Sequence, residues 1–218
     1  GFVGSHLCER LVAEGYVVIS LDNYFTGTPD NHIEGVVYRT GHTKDIEALV
    51  PETPDLVFHL GEYARTEKSF EDVELVWDLN KSGTFAVLEF CRRKDCKVVY
   101  AGSSTKFADQ GEGRDQSPYA WTKATNTELV QNYSDWFGLK YAITYFYNVY
   151  GPREMSGPYG TLIRIFTELH RNGQPLTITA PGTQTRNFTH VEDIVNGLIL
   201  VGEKGQGDGY GLGADGSH

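Results

Sequence analysis

Apolar residues recur along this chain in two rhythms. "GSHLCERLVAEG" repeats them at helical spacing and stops at a glycine, and "YVVISLD" then runs apolar up to an acid. "GVVYRT", "DLVFHL", "KVVYAGSS" and "YAITYFYNVYG" are further short Val/Ile/Tyr-rich runs, each following a helical or polar stretch. Strands apolar on both faces, alternating with helices, predict a parallel sheet covered on both sides.

Two segments are long and amphipathic. Residues 70–93 place Val73, Val76, Trp77, Asn80, Thr84, Val87, Leu88 and Cys91 on one helical stripe, and residues 119–137 do the same with Leu129, Val130, Tyr133, Trp136 and Phe137. Such stripes cover the sheet or pair with a second copy in a homodimer. Asn80, alone among apolar neighbours, is expected to make a buried structural hydrogen bond. After "NVYGPRE" come a Gly/Pro/Ser loop, a helix near 160–172, a strand "PLTIT", a turn and a last helix "VEDIVNGLIL". That shift divides the chain into a first domain, 1–150, and the start of a smaller lobe, 151–218, that partly returns to it.

The formal net charge of -10, with no basic block, argues against nucleic acid as a partner. The longest apolar runs are far short of the roughly 20 residues a membrane helix needs. Cys8, Cys91 and Cys96 form no CxxC pair, so reduced thiols in the cytoplasm are expected and no metal site.

Candidate chemistry starts at the first residues. "GFVGSHL" reads as the tail of a glycine-rich phosphate loop, Gly1 and Gly4 flanking Phe2 and Val3, which opens a helix whose N-terminus attracts anions. Asp22 closes the next strand 18 residues after Gly4, beside Asn23. A dinucleotide fold puts there the carboxylate that holds the adenosine ribose, and an acid repels a 2′-phosphate, so NAD is favoured over NADP. Ser103 and Ser104 follow the strand "KVVY" at the sheet's carboxyl edge, and "SPYAWTK" sets Tyr119 and Lys123 four apart on one helix face.

The ordered set "GFVG", "LDN", "DLVFHLG", "LNKSGT", "AGSS", "SPYAWTK", "YNVYGPR" and "TRNFTHVEDI" resembles the NAD-dependent epimerase/dehydratases of nucleotide sugars, extended short-chain dehydrogenase/reductases. The resemblance covers essentially the whole chain and is strongest to the 4-epimerases. It implies a Rossmann-type doubly wound parallel sheet that binds NAD and a smaller C-terminal lobe that grips a nucleotide diphosphate-sugar. It also implies a strand and a glycine ahead of Gly1, and further segments of the lobe beyond His218. Tyr119 would be the base, Lys123 its electrostatic partner and holder of the nicotinamide ribose, and Ser103 the hydroxyl bonded to the sugar's reacting oxygen. A free tyrosine ionises near pH ~10, and a nearby ammonium favours the phenolate. Hydride would leave C4 of the sugar for NAD, giving a 4-keto intermediate. Leu60 and Gly61 resemble the segment beside the cofactor, Asn148 and Arg186 the contacts to the substrate diphosphate, and Ser104 a further substrate contact.

Two departures qualify the resemblance. His42 stands where relatives carry an acid near the adenine. Ser103, Ser104 and Thr105 replace the Thr-Asp-Glu of dehydratases, and hydroxyls cannot serve as the carboxyl acid and base of elimination. Glu112 or Asp115, entering from the loop 107–117, would restore a dehydratase. The same motifs also fit a reductase on this scaffold, or a catalytically silent NAD sensor, although sensors of that kind typically lose the Tyr or the Lys.

Overall fold

The computed structural model describes residues 1–105, 113–178, 180–183 and 185–213. In chain order these form α1 (Phe2–Ala13), β1 (Val18–Asp22), β2 (Val36–Thr40), α2 (Ile46–Leu49), β3 (Leu56–His59), α3 (Val73–Val76), α4 (Gly83–Lys94), β4 (Lys97–Ser103), α5 (Pro118–Phe137), β5 (Tyr141–Phe146), β6 (Val149–Tyr150), α6 (Leu162–Arg171), β7 (Thr189–His190), α7 (Val191–Lys204) and β8 (Gly207–Leu212). Every ladder is parallel: β1 with β2, β6 with β7, and a central sheet in the order β3-β4-β5-β8.

The central strands read apolar throughout because both of their faces are covered. Val98 and Tyr100 of β4, with Ile143 and Tyr145 of β5, pack against Val87 and Leu88 of α4 and Val130 and Tyr133 of α5. The intervening Val99 and Ala142 turn to the other face, onto Leu7 of α1 and Ile194 and Leu198 of α7. A period of two along each strand thus feeds two helical layers, the expected Rossmann-type arrangement. Ile19 and Leu21 of β1 join the first of these cores, which ties the two-stranded ladder to the central sheet. Each fully buried Leu or Ile contributes about 1.5–3 kcal/mol.

The stretch expected as one helix over 70–93 is broken. A 3-10 turn (Glu67–Phe70) precedes α3, and a wide π turn (Trp77–Ser82) separates α3 from α4. The extra residue in a π turn rotates the helix face that follows, so the expected stripe splits: Asn80, Thr84, Val87, Leu88 and Cys91 are buried, as is Val76, while Val73 and Trp77 are exposed. Asn80 makes the buried bonds expected of it, accepting the Tyr63 N–H at 2.7 Å and donating to Thr122 Oγ1 at 3.1 Å. On α5 the stripe holds at Val130 and Tyr133 but ends in solvent at Trp136 and Phe137.

Two further expectations change, and one strand appears that the sequence did not predict. Residues 175–178 of "PLTIT" form no strand; Leu176 and Ile178 are exposed, and no described strand offers them a ladder. The last strand, β8, was not legible in the glycine-rich "GDGYGL", and its pairing with β5 returns the C-terminal residues to the sheet. The glycine-rich start is helical from Phe2, so Phe2, Val3 and Gly4 lie in the first turn of α1, closed by the Ser5 N–H on the Gly1 carbonyl at 3.0 Å. No helix among the described residues is long and apolar enough to cross a membrane.

Candidate active site

The end of β4 and the start of α5 meet at the carboxyl edge of the central sheet, where open α/β sheets bind ligands. Ser117 begins α5 by accepting the Ala120 N–H on its hydroxyl at 3.0 Å, and Pro118 fits the first helical position because it has no N–H to satisfy. The helix stops at Gly138, whose φ of +71° closes the C-terminus at no Cβ cost. Tyr119 and Lys123 therefore sit on its first two turns, one above the other.

Tyr119 donates its hydroxyl hydrogen to Ser103 Oγ at 3.1 Å, and Ser103 Oγ is also 2.9 Å from Thr105 Oγ1. Lys123 is 5% exposed. Its ammonium donates to the Ala101 carbonyl on β4, pairs with the Glu62 carboxylate and lies 4.6 Å from the centroid of the Tyr100 ring. Ser103 and Tyr119, 16 positions apart in sequence, are thus brought together directly, and Lys123, also on α5, reaches the Ala101 carbonyl two residues before Ser103 on β4.

Glu62 is the participant that sequence reasoning missed. It follows β3 at the same sheet edge, and its side chain is 4% exposed. Oε1 accepts from Thr84 at 2.6 Å, Asn126 at 2.9 Å and Tyr100 at 3.2 Å, leaving Oε2 for Lys123. Burial alone would raise this carboxyl, but Lys123, by its charge and its hydrogen bond, and the Thr84 hydroxyl outweigh it and hold it below its ordinary range. Because the Thr84 hydroxyl hydrogen goes to Glu62, His59 Nε2, 2.9 Å away, must donate to the Thr84 oxygen. Burial, helped by Lys123, keeps His59 neutral against the pull of Glu62.

Residues 1–213 match the NAD dependent epimerase/dehydratase family. The chain belongs to that family. It is 31% identical over 99% of its length, and 73% of the relative's, to a UDP-N-acetyl-alpha-D-glucosaminuronate decarboxylase of Bacillus cytotoxicus. Its fold is similar to that of a UDP-glucose 4-epimerase of Thermotoga maritima solved with UDP-glucose (TM-score 0.92, 25% identity, 100% of this chain and 75% of that one). It is similar also to a Thermus thermophilus UDP-glucose 4-epimerase solved with NAD (TM-score 0.88, 30% identity, 100% and 76%).

The residues at the carboxyl end of β1 and the start of α1 fit the cofactor of an NAD-dependent epimerase/dehydratase. A Cβ on Gly1 or Gly4 would meet nothing within 4 Å, so backbone at the start of a 12-residue helix faces open space. Asp22 turns its carboxylate to that helix start, 2.9 Å from the Gly1 amine, and accepts the Tyr24 N–H at 2.8 Å. Asn23 is exposed and accepts the Phe25 N–H at 3.1 Å. Helix donors suited to a pyrophosphate thus adjoin a carboxylate suited to ribose hydroxyls.

The remaining predicted residues are scattered in what they touch. Leu60 packs against the α1/α7 core, and a Cβ on Gly61 would stand 3.4 Å from Thr43. Asn148 donates to the Asn187 carbonyl at 3.0 Å from a backbone with φ of +35°. Arg186 is exposed, with one donor on the Thr185 carbonyl and no carboxylate pairing with it among the described residues. His42 Nδ1 accepts the Lys44 N–H at 2.9 Å, and Nε2 lies 3.1 Å from Asp78. Ser104 is half-buried beside Ser103, Asp115 lines a surface groove with Trp77 and Trp121, and Glu112 lies outside the described residues.

Proposed function

We propose that the protein is an NAD-dependent nucleotide-sugar epimerase, working at C4 through a 4-keto sugar, with Ser103, Tyr119 and Lys123 as its catalytic set. The hydrogen bond from Tyr119 to Ser103, at the mouth of the sheet and next to a buried ammonium, carries this reading. A sugar hydroxyl placed between the two oxygens gives its proton to Tyr119 in its phenolate form, which becomes the phenol, while Ser103 holds the reacting oxygen. NAD supplies the hydride acceptor and donor. Gly1, Phe2, Val3, Gly4, Asp22, Asn23, Leu60 and Gly61 line its path, and Lys123 fixes the ribose nearest the sugar. Ser104, Asn148 and Arg186 serve the substrate, the Arg186 guanidinium gripping its diphosphate. Residues 1–150 form the NAD domain and 151–218 begin the sugar lobe.

A decarboxylase or dehydratase is the second reading, favoured by the 31% identical decarboxylase and opposed by hydroxyls at 103–105 where elimination needs a carboxyl. The active form is a homodimer in the cytoplasm. Its contact is the exposed Trp77, stacked on Trp121 at 5.9 Å, above a groove of about 330 Å³ lined by Phe70, Val73 and Pro118. Incubation with a panel of UDP-, GDP- and dTDP-sugars tests the function. Interconversion of C4 epimers without loss of carbon dioxide or water is expected, and an eliminated or decarboxylated product from every sugar that reacts would replace epimerase with the second reading. No turnover of any sugar, with tight NAD binding, would leave a sensor.

A further inference from the structure

The proposed chemistry needs a lysine beside a tyrosine, and it does not need a buried acid. Glu62 nonetheless spends one carboxylate oxygen on Lys123 and has the other fixed by three donors from three different elements: Thr84 on α4, Tyr100 on β4 and Asn126 on α5. Two of these donors are themselves held. Thr84 takes the His59 ring, and Asn126 donates to the Asn80 carbonyl at 2.7 Å and accepts from Lys81 at 2.8 Å. A carboxylate that is so completely satisfied cannot swing, so the ammonium it pairs with has one place to be.

The pair also sets a charge balance. Glu62 and Lys123 sum to zero, so removing the Tyr119 proton leaves the buried cluster with a net negative charge. With a neutral residue at position 62, the same step would neutralise a lone ammonium instead, a difference that counts beside a side chain as buried as Lys123. The other charged or titratable groups facing the pair are His59 from β3, Lys81 from the wide turn and Tyr100 from β4, and toward Tyr119 stand Arg65 and, in the cluster that Tyr119 packs in, Tyr63 and Tyr159. His59 is held neutral by burial and Tyr100 is kept a phenol, first by burial and then by Glu62 itself. Lys81, half-buried, bonds Asn126 and Thr125, and Arg65 donates to the backbone carbonyls of Ala64 and Tyr159. None of them replaces Glu62 as the partner of Lys123.

Resting on the reading of Tyr119 and Lys123 above, we propose that Glu62 is a positioning residue that fixes the Lys123 ammonium and, by neutralising it, sets the pH at which Tyr119 gives up its proton. Two readouts test this. In the protein without sugar, the step in tyrosinate ultraviolet absorbance that Tyr119→Phe abolishes should move to lower pH by about one unit or more in Glu62→Gln, the scale of a single charge several Å away in a protein interior. In turnover, the acid limb of the pH profile should move the same way. Glu62→Asp, which keeps the charge, should stay within half of that displacement.

A step that does not move in folded Glu62→Gln, or that moves as far in Glu62→Asp, would overturn the proposal, since the first denies the charge effect and the second makes it one of shape. If Glu62→Gln fails to fold, Glu62→Asp decides instead, made in the native and in a Lys123→Met background. Its effect on the urea midpoint should fall to half or less when Lys123 is absent, whereas equal effects in both backgrounds would show that Glu62 serves the fold and not Lys123. The absorbance and urea readouts do not require turnover. Full activity in Tyr119→Phe would therefore end the proposed function while leaving the Glu62–Lys123 coupling to stand or fall by itself.

Discussion

Lys123→Met and Tyr119→Phe should separate in stability as well as in activity. Methionine keeps the aliphatic packing of Lys123 but leaves the buried Glu62 carboxylate with its charge uncompensated and Oε2 without its ammonium. Removing one member of a buried ion pair costs about 3–5 kcal/mol, against a total stability of about 5–15 kcal/mol for a domain of this kind. Tyr119→Phe loses one hydrogen bond between neutral, partly buried hydroxyls, about 0.5–1.5 kcal/mol. Urea unfolding at neutral pH should therefore place Lys123→Met about 1.5 kcal/mol or more below Tyr119→Phe.

The sign of the pH dependence follows from Glu62. In the native protein its carboxyl lies below the ordinary range, so the stability it confers is present above the unfolded value of about 4.3 and is lost as pH falls through the depressed folded value. Without Lys123 the burial penalty is no longer outweighed, and the carboxyl of the folded variant rises above about 4.3 on the same scale. Acidification then protonates Glu62 in the variant before it does so in the native protein, so the variant's deficit should shrink as pH falls from neutral toward about 4.3. A deficit equal to that of Tyr119→Phe, or one unchanged over this interval, would refute the view that the ion pair is buried and mutually dependent.

Two other outcomes are expected. NAD(H) should bind far more tightly than NADP(H), and Asp22→Ala should narrow the gap, measured by titration calorimetry with both cofactors; comparable dissociation constants in the native protein would remove Asp22 from the ribose site. Trp77→Lys should convert a dimer to a monomer with little change in unfolding midpoint, since Trp77 is 53% exposed in the single chain; light scattering at micromolar concentration checks it, and a native monomer would dispose of the interface.

Much of the fold was legible because its signals are local. Apolar runs such as "KVVYA" are buried on both faces wherever they occur in a covered parallel sheet, and the Ser117-Pro118 start of α5 states its own boundary. The wide turn at Trp77–Ser82 was not legible, because a π turn is made by how Asn80 and its neighbours bond across the chain to Tyr63 and Thr122 and not by any residue pattern within the helix. The strand β8 was hidden for the opposite reason. "GDGYGL" has poor strand propensity, and its place is dictated by the open edge of β5.

Glu62 shows where sequence reasoning on a candidate site stops. Tyr119 and Lys123 announce themselves because a helix converts a spacing of four into a shared face, so their proximity follows from the sequence alone. Glu62 stands 61 residues from Lys123, and an acid after a strand reads as a solvated loop residue until the sheet order is known. Once β3 is placed beside β4, the ends of both strands share one edge, and an acid three residues past β3 comes to face the helix that follows β4. The charge partner of the lysine proposed as catalytic is in this way a property of strand order, and a chain of this family with an uncharged residue at that position should work with a differently poised tyrosine on the same scaffold.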